Sequence, residues 1–107
     1  PGTTHLLIDT RFGTLAPGIC MDLNDDRFIA HMEDADVVAF CTSWVEEHYD
    51  VHWYWRARLA GWPGWFVAAG RWGEDHGVQF AGRSAILGAG GQVMASTGPI
   101  GDGIVLF

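Results

Sequence analysis

The chain has 107 residues, 49% of them hydrophobic and 13% aromatic, with six Trp: enough for the core of one small domain and too apolar for a disordered segment. Thirteen acidic and six basic residues give a formal charge of −7, and Arg56 and Arg58 are the densest basic pair, so neither nucleic acid nor an anionic membrane surface is expected as a partner. No apolar run reaches the roughly 18–20 residues of a membrane span, and two cysteines outside a CxxC pair form no disulfide framework, so a reducing, cytoplasmic compartment is the default.

Residues 5–13 (HLLIDTRFG) read as a strand and a turn, and residues 13–20 (GTLAPGIC) as a short apolar strand. Asn24 or Asp25 can cap a helix in which Phe28, Ile29 and Met32 fall at helical spacing, running to about Glu33. Residues 34–41 (DADVVAFC) form a continuous apolar run, the pattern of a strand buried on both faces. Residues 42–49 read as a loop. Residues 50–62 have helical periodicity and stop at Gly61 and Pro63. WFVAAG (65–70) is another apolar strand, RWGEDHG (71–77) a polar, glycine-bounded loop, and residues 82–97 two strands joined by AGG. The run GIVLF (103–107) reads as one more strand, cut in mid-course. The order β, β, α, β, α, β and a closing β meander implies an α/β fold with parallel strands and right-handed crossovers. The chain starts at Pro1 and ends in that apolar run, so a piece of a larger domain with exposed apolar faces is expected.

In open α/β sheets ligands sit beyond the carboxyl ends of the strands. Cys20 ends one parallel strand and Cys41 the next, which places both thiols at one edge. A nucleophile on a sharp strand-to-helix turn is held exposed beside backbone N–H groups able to bind an oxyanion, and the N–H of Met21 is the obvious donor. Cysteine is also a small residue that is commonly buried, so position alone leaves packing and catalysis equally open. The five histidines are scattered and none is an evident partner for Cys20, which gives a Cys–His enzyme little support.

The segments at 12–23 (FGTLAPGICMDL), 34–44 (DADVVAFCTSW), 55–87 and 90–97 (GGQVMAST) resemble, in order and spacing, the C-terminal half of the nitrilase superfamily of carbon–nitrogen hydrolases. The most specific part is GICMD at 18–22; the second anchor is Arg-x-Gly-x-x-x-Gly-x-x-Phe-x-Gly-x-Ser at 71–84. ICMDLN is nearest to the branch of protein N-terminal amidases. The resemblance implies part of an αββα sandwich with a parallel or mixed sheet, no cofactor and no metal, and a Cys-Glu-Lys triad of which only the cysteine maps here, onto Cys20. The expected function is that of an amidase, with residues 1–107 as the nucleophile-bearing half, inactive and poorly soluble alone. The substrate is a small amide or a protein N-terminal amide, a carbamoyl amine or nitrile being further options, and the full-length form is expected to be a homo-oligomer through helices flanking the site. Asp22 is expected to order the turn. Cys41, Ser43, Trp44 and Glu46 are possible pocket residues, with Glu46 able to attract a cationic group. The chain departs from the family pattern at Ser43 and Gly70, where Asn is common, and at Ala60-Gly61, where Glu-Asn is common. Arg71 and Ser84 read as structural groups. Two other classes stand beside the hydrolase: an inactive relative serving as a binding or assembly module, and a thiol redox or metal module using Cys20 and Cys41.

Overall fold

A computed structural model describes residues 6–46, 50–101 and 103. The chain forms β1 (Ile8–Thr10), β2 (Gly13–Ile19), a 3-10 turn (Cys20–Asn24), α1 (Asp26–Met32), β3 (Val37–Thr42), α2 (Val51–Arg58), β4 (Trp65–Gly70), β5 (Trp72–Asp75), β6 (Val78–Ala81), β7 (Ala85–Leu87), a short 3-10 turn (Ala89–Gly91) and β8 (Val93–Ser96). Six strands make one mixed sheet in the order β1-β2-β3-β4-β7-β8, and β5 and β6 pair separately. β2, β3 and β4 run parallel through the crossovers α1 and α2, while β1, β7 and β8 are antiparallel to their neighbours. No helix among the described residues is long and apolar enough to cross a membrane.

Local chemistry starts both helices. Asp25 caps α1 by accepting the Arg27 N–H at 2.8 Å, and its hydrogen bond and charge raise the Arg27 guanidinium above its ordinary value. Asp50 caps α2 through the His52 N–H at 3.0 Å, and Arg56 and Arg58 in its last turn suit the negative end of the helix dipole. α2 ends at Arg58, four residues before the expected boundary, because Leu59 leaves helical geometry and Gly61 turns at φ +83°.

Phe28 and Met32 of α1 and Val51 and Trp55 of α2 join Ala16, Val38, Phe40, Phe66, Ala68, Ala85 and Leu87 of the sheet in one buried core. Gly18 of β2 makes room for this packing: a Cβ there would stand 2.6 Å from the Phe28 ring. Both helices therefore cover the same face of the sheet, as successive right-handed crossovers in one direction require.

The other face is apolar too, and no helix among the described residues covers it. Register aligns Leu15 with Val37 and Trp65, Pro17 with Ala39 and Val67, and Ile19 with Cys41 and Ala69. These side chains alternate with the buried set, as strand geometry demands, and Ile19, Trp65 and Val67 are exposed. The expectation that 34–41 is buried on both faces is thus corrected. Its residues are apolar on both faces, but helices cover only one. The register is fixed at the strand starts by Asp36, whose carboxylate accepts the Thr14 N–H at 2.8 Å while its backbone N–H donates to Thr14 O and its carbonyl accepts from Trp65.

Residues 71–77, expected as a loop, form most of a β-hairpin. Asp75 pairs with Val78, and the two intervening residues, His76 and Gly77, both have positive φ (+50° and +79°), the signature of a type I′ turn. The segment Trp44–Glu46 runs beside β6, with Ala81 N–H donating to Trp44 O and Glu46 N–H to Gln79 O. The expected strand at 103–107 and the end of the 42–49 loop, with Glu47 and His48, lie outside the described residues apart from Gly103, as does His5.

Candidate active site

β2 does not pass directly into α1. At Cys20 the backbone turns to φ +42°, a left-handed conformation uncommon outside glycine, and the 3-10 turn Cys20–Asn24 follows. Asp22 holds this turn in place. Its carboxylate, almost fully buried, reaches back to accept the Ile19 N–H at 2.9 Å, and its carbonyl accepts the Asp25 N–H at 2.9 Å. Leu23 anchors the turn in the core, and Arg58 Nε of α2 donates to its carbonyl at 2.8 Å. Met21 lies within the first three residues of the turn, where backbone N–H groups have no acceptor inside the helix.

The sulfur of Cys20 faces the end of β3. It accepts the Ser43 N–H at 3.2 Å and the Thr42 hydroxyl at 3.6 Å. Beside it opens a cleft of about 270 Å³ lined by Cys20, Met21, Asn24, Thr42, Ser43, Trp44, Val45 and Tyr54. The Trp44 and Tyr54 rings are 5.6 Å apart and form one aromatic wall, which Trp44 continues into the core through Phe40 and Trp55. The Tyr54 hydroxyl donates to Asn24 Oδ1, and Asn24 Nδ2 donates to Met21 Sδ at 3.4 Å, so α2 is tied to the cysteine-bearing turn.

Of the residues singled out in the sequence, Cys20, Met21, Ser43 and Trp44 meet at the cleft, and Asp22 lies beneath it. Two do not reach it. Cys41 stands at the same strand ends, but its side chain lies on the open face with Ile19 and Ala69, because it is one residue out of phase with Thr42. Glu46 is tied to Arg83 Nη1 at 2.7 Å, so its charge is already neutralised. Asn24 suggested only a cap, and Thr42, Val45 and Tyr54 were not singled out at all. Asn24 and Thr42 lie within four residues of Cys20 or Trp44, a local signal, whereas Tyr54 reaches the site only through the packing of α2. Arg71 bridges to Asp75 at 2.9 Å and stacks over Phe80, and the Ser84 hydroxyl accepts the Gly70 N–H at 2.8 Å. A Cβ at Gly70 would stand 2.7 Å from Gly82 O, which explains why this backbone carries glycine there. His52 is bound to the Arg83 carbonyl at 2.7 Å and His31 to the Leu6 carbonyl at 2.9 Å. Among the described residues no three His, Cys, Asp or Glu side chains gather as a metal site.

No protein-family model matches the chain, and no curated protein matches it. Solved structures do. An amidase from Nesterenkonia sp. superposes over 94% of this chain with a TM-score of 0.80 at 20% identity. A variant of the Nesterenkonia sp. AN1 amidase, with the acetamide moiety of fluoroacetamide covalently added at its active-site cysteine, matches 92% of the chain with a TM-score of 0.78 at 21% identity. A CN-hydrolase superfamily protein from Xanthomonas campestris, with an arsenic adduct in its active site, matches 90% with a TM-score of 0.76 at 24% identity. The chain spans only 40%, 39% and 40% of those three proteins, respectively. What the chain shares with them is the fold, that of nitrilase-superfamily amidases.

Proposed function

We propose that the chain is the nucleophile-bearing part of a carbon–nitrogen hydrolase of the nitrilase superfamily, and that Cys20 attacks the acyl carbon of an amide. The supporting observation is the presentation of Cys20: left-handed backbone at the carboxyl end of a parallel strand, with its sulfur beside an open cleft. In the reaction the Cys20 sulfur forms a bond to the carbonyl carbon as its proton passes to a base. The carbonyl oxygen becomes an oxyanion, with the Met21 N–H as donor. The C–N bond then breaks, the amine leaves with the proton, and a thioester remains. Water, deprotonated by the same base, adds to the thioester; the C–S bond breaks, the proton passes from the base back to the sulfur, and the acid departs.

A thiol needs that base because at neutral pH it is mostly protonated. No carboxylate, histidine or lysine lines the cleft among the described residues, and the whole sequence contains no lysine. In this reading the Glu base and the Lys that complete the family triad are supplied by another part of a longer polypeptide, of which residues 1–107 are the C-terminal half. The share of the related amidases that the chain spans and the uncovered apolar sheet face favour this reading. The substrate is a linear amide, small or at a protein N-terminus; no cofactor is needed, the location is cytoplasmic, and the full-length protein assembles as a homo-oligomer through its helices.

Cys20→Ala in the longer polypeptide tests the proposal. Amide hydrolysis is expected to fall by about 10³-fold or more. Turnover within a few-fold of the parent would overturn it. The lack of a base among the described residues that line the cleft favours a second reading, an inactive nitrilase-like binding module; a longer polypeptide lacking the Lys, with no turnover of any amide, would select it.

A further inference from the structure

We infer that the Thr42 hydroxyl and the Ser43 N–H are a donor pair for negative charge on the Cys20 sulfur, separate from the Met21 N–H that serves the acyl oxygen, and that Thr42 is thereby a catalytic residue; this rests on Cys20 being the nucleophile. The sulfur accepts the Ser43 N–H at 3.2 Å and the Thr42 hydroxyl at 3.6 Å, within reach for so large an acceptor. Thr42 is only 7% exposed, so water does not compete freely for its hydroxyl.

Strand geometry puts both donors there. β2 and β3 are in register at Ile19 and Cys41, whose side chains share the uncovered face. One residue further on, the Thr42 side chain lies on the helix-covered face, in phase with Val38 and Phe40. β2 stops at that level. Cys20 takes left-handed backbone, φ +42°, and its sulfur lies against the end of β3. That end is itself fixed: Thr42 pairs with Gly70, and its carbonyl accepts the Arg71 N–H at 2.9 Å. Neither donor has to move to meet the sulfur.

Charge gathers on the sulfur twice in the reaction. It does so first as the thiol proton passes to the base and the S–C bond begins to form. It does so again when the C–S bond of the water adduct breaks and its electron pair returns to the sulfur, before the base gives the proton back. A hydrogen bond to an ionised acceptor is about twice as strong as one to a neutral acceptor. Both donors therefore tighten at these two moments. A hydroxyl with only a structural role would favour no state of the sulfur over another.

Thr42→Val and Thr42→Ser in the longer polypeptide test this. Valine keeps the branched shape and removes the donor; serine keeps the donor and removes the methyl. One readout is alkylation by iodoacetamide at neutral pH, in which the sulfur displaces iodide from carbon and the thiol proton goes to buffer. Peptide mass spectrometry separates Cys20 from Cys41, whose rate is the internal control. The other readout is hydrolysis of propionamide. In T42V, alkylation of Cys20 is expected to slow about fivefold and kcat to fall about tenfold, with KM changed by less than about twofold. T42S is expected to recover both to within about threefold of the parent. The urea midpoint of T42V is expected at or above that of the parent, because valine suits a strand. If T42V does not fold, T42A removes the same hydroxyl and carries the same expectation. Parent-like alkylation of Cys20 without the hydroxyl, T42S as slow as T42V, or equal slowing at Cys41 would each overturn the inference. T42V matching the parent while Cys20→Ala is inactive would overturn the donor pair alone. Propionamide hydrolysis that survives Cys20→Ala would overturn the reading of Cys20 as nucleophile, a result that no Thr42 variant can mimic.

Discussion

At Cys20 a left-handed backbone is imposed on a residue with a Cβ, at a cost of about 1–3 kcal/mol. Removing the Cβ should relieve it. Cys20→Gly is expected to be more stable than Cys20→Ala by about 0.5–1 kcal/mol, despite glycine's greater unfolded-state entropy, as read from paired urea titrations; the reverse order would mean that the turn carries no such strain. Asp22 is the other decisive residue. Asp22→Ala leaves the Ile19 N–H without its acceptor and should cost about 1–3 kcal/mol, with slower alkylation of Cys20 because the turn that presents the sulfur loosens. Unchanged stability and labelling would show that the turn is held by Leu23 and Arg58 alone. The meeting of Cys20, Met21 and Trp44 at one cleft was legible in the sequence because each sits in or beside a short local pattern. Glu46 was not, because its partner Arg83 lies 37 residues away. Tyr54 was not, because helical phase alone does not say which flank of α2 faces the turn.

Among the elements, the parallel strands and both helices were readable from apolar runs, capping residues and glycine stops. The β5–β6 hairpin was hidden because its strands are only four residues each and pair outside the main sheet, too short for a clear period-2 signal. Its turn is still recognisable in hindsight from the positive φ of His76 and Gly77. Asparagine tolerates left-handed backbone better than histidine, so His76→Asn is expected to stabilise the chain by about 0.5 kcal/mol and to slow amide exchange at the paired residues Asp75 and Val78. Faster exchange there would contradict the turn type. Two-sided burial of β3 was expected because an apolar run reports only what a strand's faces are made of, not what covers them.

For the whole molecule that uncovered face dominates. Val67 sits near its centre, 42% exposed between Ala39 and Ile86. The 107-residue chain alone is expected to self-associate through this face. Val67→Lys should weaken association by about tenfold or more in sedimentation velocity, since each contact would bury an unpaired ammonium. A parent chain that stays monomeric at about 100 μM would mean the face needs no cover. The face also bears on how the strands find their alignment. Ordinarily a slip of one residue is punished, because it swings the greasy side of a strand into water and the polar side inward. β2, β3 and β4 are greasy on both sides, so that penalty is nearly absent, and a misaligned sheet would look almost as good to the solvent as the native one. The choice then falls to a few polar contacts at the strand starts, above all the three made by Asp36 with Thr14 and Trp65. That single carboxylate and its peptide groups act as the ratchet pawl of the sheet, and a chain without it would be prone to kinetic traps in which every strand is paired and every pair is one step out.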